Sequence, residues 1–91
     1  MKLDDALFNW LQIDLVAKAR PDDRAAQETA EFFYTIITED HHVSDVRVDT
    51  HGDDLLQVVY MLDGSEYKKS YDRGLAEQLL HDINANPKYN E

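Results

Sequence analysis

"LLQVVYMLDGSEYKKSYD" (Leu55–Asp72) is the stretch of sequence that decides the fold of this chain. Asp63-Gly64 separates an apolar run from a mixed one, and this dipeptide is a strong signal for a two-residue type I′ hairpin turn. The sequence therefore predicts antiparallel strands over residues 55–62 and 65–71, of which the more apolar strand lies at the centre of the sheet. The turn also sets a register of facing pairs: Tyr60 with Tyr67, Val58 with Lys69, and Leu56 with Tyr71.

A further strand is predicted just before this hairpin, over residues 43–51. Its side chains alternate between two sets: Val46, Val48 and Thr50 against Asp45, Arg47, Asp49 and His51. A three- or five-residue loop at Gly52 pairs this strand with the central one. One face of the sheet is then apolar, whereas the other carries three apolar residues between two rows of charge: Leu55, Val59 and Met61.

Helical periodicity predicts three helices, over residues 3–20, 22–40 and 73–85. Pro21 ends the first helix, because a proline pushes the residue before it out of the helical region. Asp22 or Asp23 caps the second helix, and Asp72 caps the third. The second and third helices have these inner faces: Ala25, Ala26, Thr29, Phe32, Phe33, Ile36 and Ile37 in the second, and Leu75, Ala76, Leu79, Leu80 and Ile83 in the third.

The first helix has an unusually wide apolar stripe, of about 200°. It is built from Leu3, Leu7, Phe8, Trp10, Leu11, Ile13 and Leu15. A stripe of this width predicts that the helix contacts more than one neighbour. Asp14 lies inside the stripe and Lys18 follows one turn later, which we interpret as an ion pair at its edge. The alternative is a buried acid held for a function.

These elements predict an α+β fold in a single domain over residues 1–91. A three-stranded antiparallel meander carries helices 2 and 3 on one face, helix 1 is added outside that unit, and residues 86–91 form a frayed tail. Helix 1 either folds across the second face of the sheet or leaves it bare for a partner.

Composition narrows the function. The 91 residues contain 19 acidic and nine basic side chains, for a net charge of −10, and no cysteine. Disulfides and thiolate metal sites are excluded, and phosphate backbones and anionic lipid surfaces are repelled. The acids within the first helix fit neither a signal peptide nor a membrane span. We therefore expect a cytoplasmic protein that binds neither nucleic acid nor membranes.

From helix 2 onward, the order of elements is similar to that of double-stranded-RNA-binding domains. That family places a cluster of lysines at the start of its last helix. This chain has "YDRGLAEQ" there, residues 71–78, with one arginine and two acids. The topology is shared, but the charge predicts no RNA binding.

Asp49, His51 and Asp53 are the candidate residues for metal binding or catalysis. Asp49 and His51 point to the same face of their strand, and Asp53 follows in the turn, so an imidazole and carboxylates are available to a cation. No calcium-loop spacing, helical metal-binding pair or glycine-rich phosphate loop accompanies them. We therefore expect no metal site, no catalytic residue and no cofactor.

Two hypotheses for the function follow from the sequence. The first is a protein-interaction or regulatory module, whose partner is another protein or a second copy of the chain in a homodimer. Its interface candidates are Trp10, Leu55, Val59 and Met61. The alternative is a small metal-dependent or hydrolytic enzyme built on Asp49, His51 and Asp53. A deep pocket beside His51 favours the enzyme, and a flat apolar strip ringed by charge favours the module.

Overall fold

The computed structural model describes residues 1–85, except for the side chain of His51. The predicted frayed tail, residues 86–91, lies outside the described residues. In chain order the elements are α1 (Leu3–Ala19), α2 (Arg24–Thr35), a π-helical segment (Ile36–Asp40), β1 (Val43–His51), β2 (Leu55–Leu62), β3 (Ser65–Asp72), α3 (Arg73–Ala76) and α4 (Gln78–Ala85). The predicted α+β class is confirmed.

The sheet is an antiparallel meander with β2 between β1 and β3. Asp63 and Gly64 both have positive φ, 53° and 80°, as a type I′ turn requires. All three facing pairs predicted across this turn are present, as are the pairs that join β1 to β2. A shift of register between Val43 and Asp45 marks a bulge at the start of β1. The turn chemistry thus set the register, as expected.

Side-chain caps begin the later helices. Asp23 Oδ1 accepts a hydrogen bond of 3.0 Å from the backbone N–H of Ala26 at the start of α2. Asp72 Oδ2 accepts one of 2.8 Å from the N–H of Leu75 at the start of α3. Both capping positions agree with the sequence.

Two helices differ from the prediction in their course. The second ends as an α-helix at Thr35 and continues as the wider π-helical segment. The third breaks at Glu77, where the backbone adopts φ −87° and ψ 0°. Phe32 and Leu75, which the sequence assigned to the inner faces of these helices, lie outside the core, with 60% and 59% of their surfaces exposed. Sequence periodicity assumes a straight, regular helix, so it assigned both side chains to the inside wrongly.

Helix α1 lies directly on the apolar face of the sheet. The central core is built from buried apolar residues of α1, the π-helical segment, β1, β2 and α3. They are Ala6, Leu7, Trp10, Leu11, Ile37, Val43, Leu56, Val58 and Ala76. A second cluster joins α1 to α2 and α4 through Val16, Ala17, Ala26 and Ile83. The wide stripe of α1 therefore meets several neighbours, as predicted.

The expected position of helix 1 outside the helix–sheet unit is wrong. Helix α1 carries the large apolar residues Leu7, Trp10 and Leu11, and all three are buried in the central core. Placing this helix at the centre of the helical layer removes more apolar surface from water than α2 or the four-residue α3 can. Both α2 and α4 then pack against its flanks.

The opposite face of the sheet carries no helix within residues 1–85. Nevertheless, only 1% of Val59 at its centre is exposed. Its direct cross-strand neighbours are Arg47 on β1 and Lys68 on β3. Both cations approach Glu66, with N–O distances of 4.0 Å for Arg47 and 3.9 Å for Lys68. The aliphatic stems of these side chains thus cover Val59 while their charges stay in water.

Candidate binding groove

A groove of about 710 Å³ lies between α1, α2 and the edge strand β1. Its walls come from three elements: Trp10, Asp14, Ala17 and Lys18 on α1; Gln27, Ala30, Glu31, Tyr34 and Thr35 on α2; and Val46, Arg47 and Val48 on β1. The groove therefore combines aromatic and aliphatic surface with two carboxylates, Asp14 and Glu31, and two cations, Lys18 and Arg47.

The groove exists because the helical layer covers β1 less completely than β2. Leu56 and Val58 on β2 are 3% and 0% exposed, whereas Val46 and Val48 on the same face of β1 are only half-buried. Gln27 Nε2 donates a hydrogen bond of 2.9 Å to the backbone C=O of Ala17, which holds the first half of α2 against α1. Further along the chain, the π-helical segment packs against β1. The groove is the gap before that contact.

The aromatic walls differ in how much surface they offer. Trp10 is 6% exposed and forms the inner part of the groove, whereas Tyr34 is 41% exposed on its rim. Aromatic side chains that are held rigidly beside an opening supply much of the contact area in protein interfaces.

The predicted ion pair on α1 stands inside this groove. Asp14 Oδ2 lies 3.0 Å from Lys18 Nζ, and the side chains are 16% and 69% exposed. The lysine is largely exposed to water, while the carboxylate is largely shielded by the walls. We assign the pair a modest contribution to stability, because half of it is a surface charge.

The strongest electrostatic perturbation lies elsewhere, at Tyr71 on β3. Its ring packs against Phe8 with centroids 5.3 Å apart, and its hydroxyl is buried with no hydrogen-bond partner among the described residues. Burial raises the pKa of Tyr71 to about 12, and the nearby charges of Asp4 and Tyr60 add to the rise. A phenol with this pKa remains neutral at physiological pH, so it is no candidate for a general base.

The predicted Asp49–His51–Asp53 cluster is only partly described. Asp49 is exposed, with its Oδ2 3.6 Å from Arg47 Nε, and Asp53 is exposed in the turn after β1. The backbone of His51 ends β1, but its side chain lies outside the described part of the structure. Among the side chains that are described, no three histidines, aspartates or glutamates form a group able to hold a metal ion.

The four interface candidates lie in two separate places. Trp10 is in the core beside the groove, on the covered face of the sheet. Leu55, Val59 and Met61 share the opposite face, where Leu55 is 38% exposed, Met61 is half-buried and Val59 is buried. The structure therefore does not bring Trp10 together with the other three.

Sequence reasoning missed the part of the groove that α2 contributes. Gln27 and Glu31 are not among the residues of the predicted inner face of that helix, yet both line the groove. Their position follows from the rotation of α2 about its axis, which also exposes Phe32. The one available signal was the breadth of the apolar stripe on α1, since a helix with several neighbours leaves seams between them.

Comparisons with known proteins identify no relative of this chain. No protein-family model matches the chain, and neither the curated proteins nor the solved structures contain a significant match. Among residues 1–85, none of the helices combines the length and apolar character needed to span a membrane.

Proposed function

We propose that this protein is a small acidic interaction module that acts in the cytoplasm and binds another protein through the groove. One observation carries the proposal: the helical layer covers β1 incompletely and leaves half-buried valines beside the aromatic side chains of Trp10 and Tyr34. Incompletely covered apolar surface with a polar rim is typical of protein interfaces.

The distribution of basic residues supports a partner other than nucleic acid. The last strand and the start of α3 carry three basic residues: Lys68, Lys69 and Arg73. In the structure each contacts an acid: Glu66, Asp4 and Glu77, respectively. These contacts reduce the charge available to phosphates, and a chain of net charge −10 adds long-range repulsion.

The alternative of a small enzyme around Asp49, His51 and Asp53 stays a prediction. The Asp49 carboxylate contacts Arg47 at 3.6 Å, and Asp53 is open to water. Neither of these features indicates a carboxylate adapted to acid–base chemistry, which needs burial or a like-charged neighbour. No observation therefore favours this alternative over the interaction module.

Photo-crosslinking inside the native host tests the proposal directly. Tyr34 at the groove rim is replaced by benzoylphenylalanine, and the same replacement is made at Phe32 as a matched control. Both are exposed aromatic residues of α2, but only Tyr34 lines the groove. We expect a discrete higher-mass adduct from position 34 after irradiation, and none from position 32.

A third replacement, at Leu55, examines the opposite face of the sheet. An adduct from position 55 alone would move the interface to the strip formed by Leu55, Val59 and Met61 and overturn the assignment to the groove. If none of the three positions gives an adduct although the protein is folded and abundant, the interaction module itself is the wrong function.

A further inference from the structure

We infer that the groove binds an extended, basic segment of a partner protein, which adds to β1 as a fourth strand of the sheet. This inference rests on the proposed function, because it specifies the occupant of the same groove. Three features carry it: the free edge of β1, the gap in cover above that edge, and the acids on both sides of it.

The first feature is the free edge. β1 is an outer strand of nine residues, and β2 is its sole neighbour in the described sheet. A two-residue hairpin loop closes on a hydrogen-bonded pair, here Leu62 and Ser65. Counted back from Leu62, every second residue of β2 therefore forms its backbone hydrogen bonds with β3. The residues between them form theirs with β1. This alternation directs the backbone groups of Val46, Val48 and Thr50 toward the open edge.

The second feature is the position of the groove relative to those groups. Residues that face each other on neighbouring strands project their side chains to the same side of the sheet. In an added strand, the residues opposite Val46 and Val48 therefore point toward the helices, into the groove. There they meet Trp10 and Tyr34. The backbone of the added strand supplies affinity and its alternate side chains fill the gap, as in other cases of strand addition.

The third feature is charge. Asp45 is exposed on the sheet face away from the helices and makes no ion pair within the described residues. Glu31 is exposed at the groove and likewise has no partner among them. The groove also has two cations, Lys18 and Arg47, but each lies beside an acid: Lys18 beside Asp14, and Arg47 beside Asp49 and Glu66. An added strand that alternates apolar with basic residues would place its apolar side chains in the groove and a basic one beside Asp45. Opposite charges on neighbouring strands stabilise the pair, and like charges destabilise it.

The same charges disfavour a second copy of this chain as the occupant. Two copies joined at β1 would bring together two chains of net charge −10.

Fluorescence polarisation with a labelled peptide, Lys-Val-Lys-Val-Lys-Val-Lys, tests the inference. We expect binding with a Kd on the order of 100 µM or tighter. A peptide with Glu in place of every Lys should not bind. N-methylation of alternate backbone amides should weaken binding more than about tenfold, because it removes the strand hydrogen bonds. Chemical shifts of the Val46 and Val48 amides should change most on titration.

Matched charge variants separate specific from general attraction. Glu31→Gln and Asp45→Asn should each weaken binding of the basic peptide about two- to fivefold, the usual effect of losing one exposed charge pair. Glu28→Gln removes the same charge from α2, but Glu28 contacts Arg24 outside the groove, at 3.2 Å. Binding to this control should remain close to that of the wild type.

Several outcomes overturn strand addition. They are no binding at millimolar peptide, equal binding of the N-methylated peptide, or an equal loss in Glu28→Gln. Concentration-dependent dimerisation that Asp45→Lys enhances would assign the edge to a second copy instead. A crosslinked adduct at position 34 together with any of these results would leave the interaction module standing and remove only this inference.

Discussion

Val58 and Val59 are neighbours on β2, and both are fully buried, with 0% and 1% of their surfaces exposed. Val58 faces the helical layer and belongs to the central apolar core. Val59 faces the other way, where its cross-strand neighbours are Arg47 and Lys68. The two valines are thus equally buried but covered by different groups. Packed helices cover Val58, and long charged side chains cover Val59. Burial alone does not say how rigid a site is.

The largest difference should follow from truncation of each valine. Val58→Ala should reduce the free energy of unfolding by about 2–3 kcal/mol, because close-packed helices cannot collapse into the space left by two methyl groups. Val59→Ala should reduce it by about 1 kcal/mol, since the stems above it can move inward. Urea denaturation of both variants measures the difference. Equal losses would mean that the charged cover is as rigid as the helical one.

A hydroxyl in place of a methyl group sharpens the same comparison. Val58→Thr should reduce stability by about 2 kcal/mol, because the core around it is apolar and offers no hydrogen-bond partner. Val59→Thr should lose less than about 1 kcal/mol, since its hydroxyl can reach water between the charged side chains. Thermal unfolding followed by circular dichroism distinguishes them. A larger loss at Val59 would contradict the proposed access of water to that face.

The cover itself is tested by Arg47→Ala, which should reduce stability by about 0.5–1 kcal/mol. The loss arises mainly from exposing Val59 and less from the ion pairs, which are long and half-exposed. Arg24→Ala is the control, because Arg24 is 91% exposed and its one ion pair among the described residues is with Glu28, one turn away. Denaturant midpoints should show a smaller effect for Arg24→Ala. The same loss in both variants would leave Arg47 no role as a cover.

Substitution of Tyr71 should have the smallest effect on stability at neutral pH. Tyr71→Phe should change stability by less than about 0.5 kcal/mol, because the hydroxyl it removes has no hydrogen-bond partner among the described residues. The folded state holds the phenolic proton more tightly than the unfolded state does, since the pKa is about 12 instead of 10.0. The associated stability is present below pH 10 and is lost as the pH rises toward 12. Tyr71→Phe should therefore lose less stability over that range, as measured by denaturation at stepped pH. An identical pH dependence in both proteins would contradict the burial of this hydroxyl.

Much of the sheet could be predicted from the sequence because its determinants are local. Asp63-Gly64 specifies the turn, and the turn specifies the register. The pattern of β1 then assigns Val46 and Val48 to the covered face and their polar neighbours to the other face. The capping residues of α2 and α3 could also be predicted from the sequence, because a cap acts on backbone groups within three positions of itself.

The arrangement of the helices could not be predicted in the same way. Apolar stripes show that a helix is buried without saying against what. The sequence put α2 and the C-terminal helix on the sheet and helix 1 outside, whereas α1 occupies the centre of the layer. The π-helical segment and the break at Glu77 interrupt the regular helices, and Phe32 and Leu75, both assigned to inner faces, are exposed. These departures result from competition among the helices for one face of a sheet.

The sequence by itself determined an acidic α+β chain, the order of its strands, their register and the composition of both sheet faces, because each follows from short-range backbone preferences and alternation. Only the tertiary structure decided where that sheet is covered. Helix α1 takes the middle of the layer and leaves β1 partly bare, and charged side chains close over Val59 on the opposite face. Both results depend on how apolar surfaces compete for neighbours across the whole molecule, a balance that no local pattern encodes.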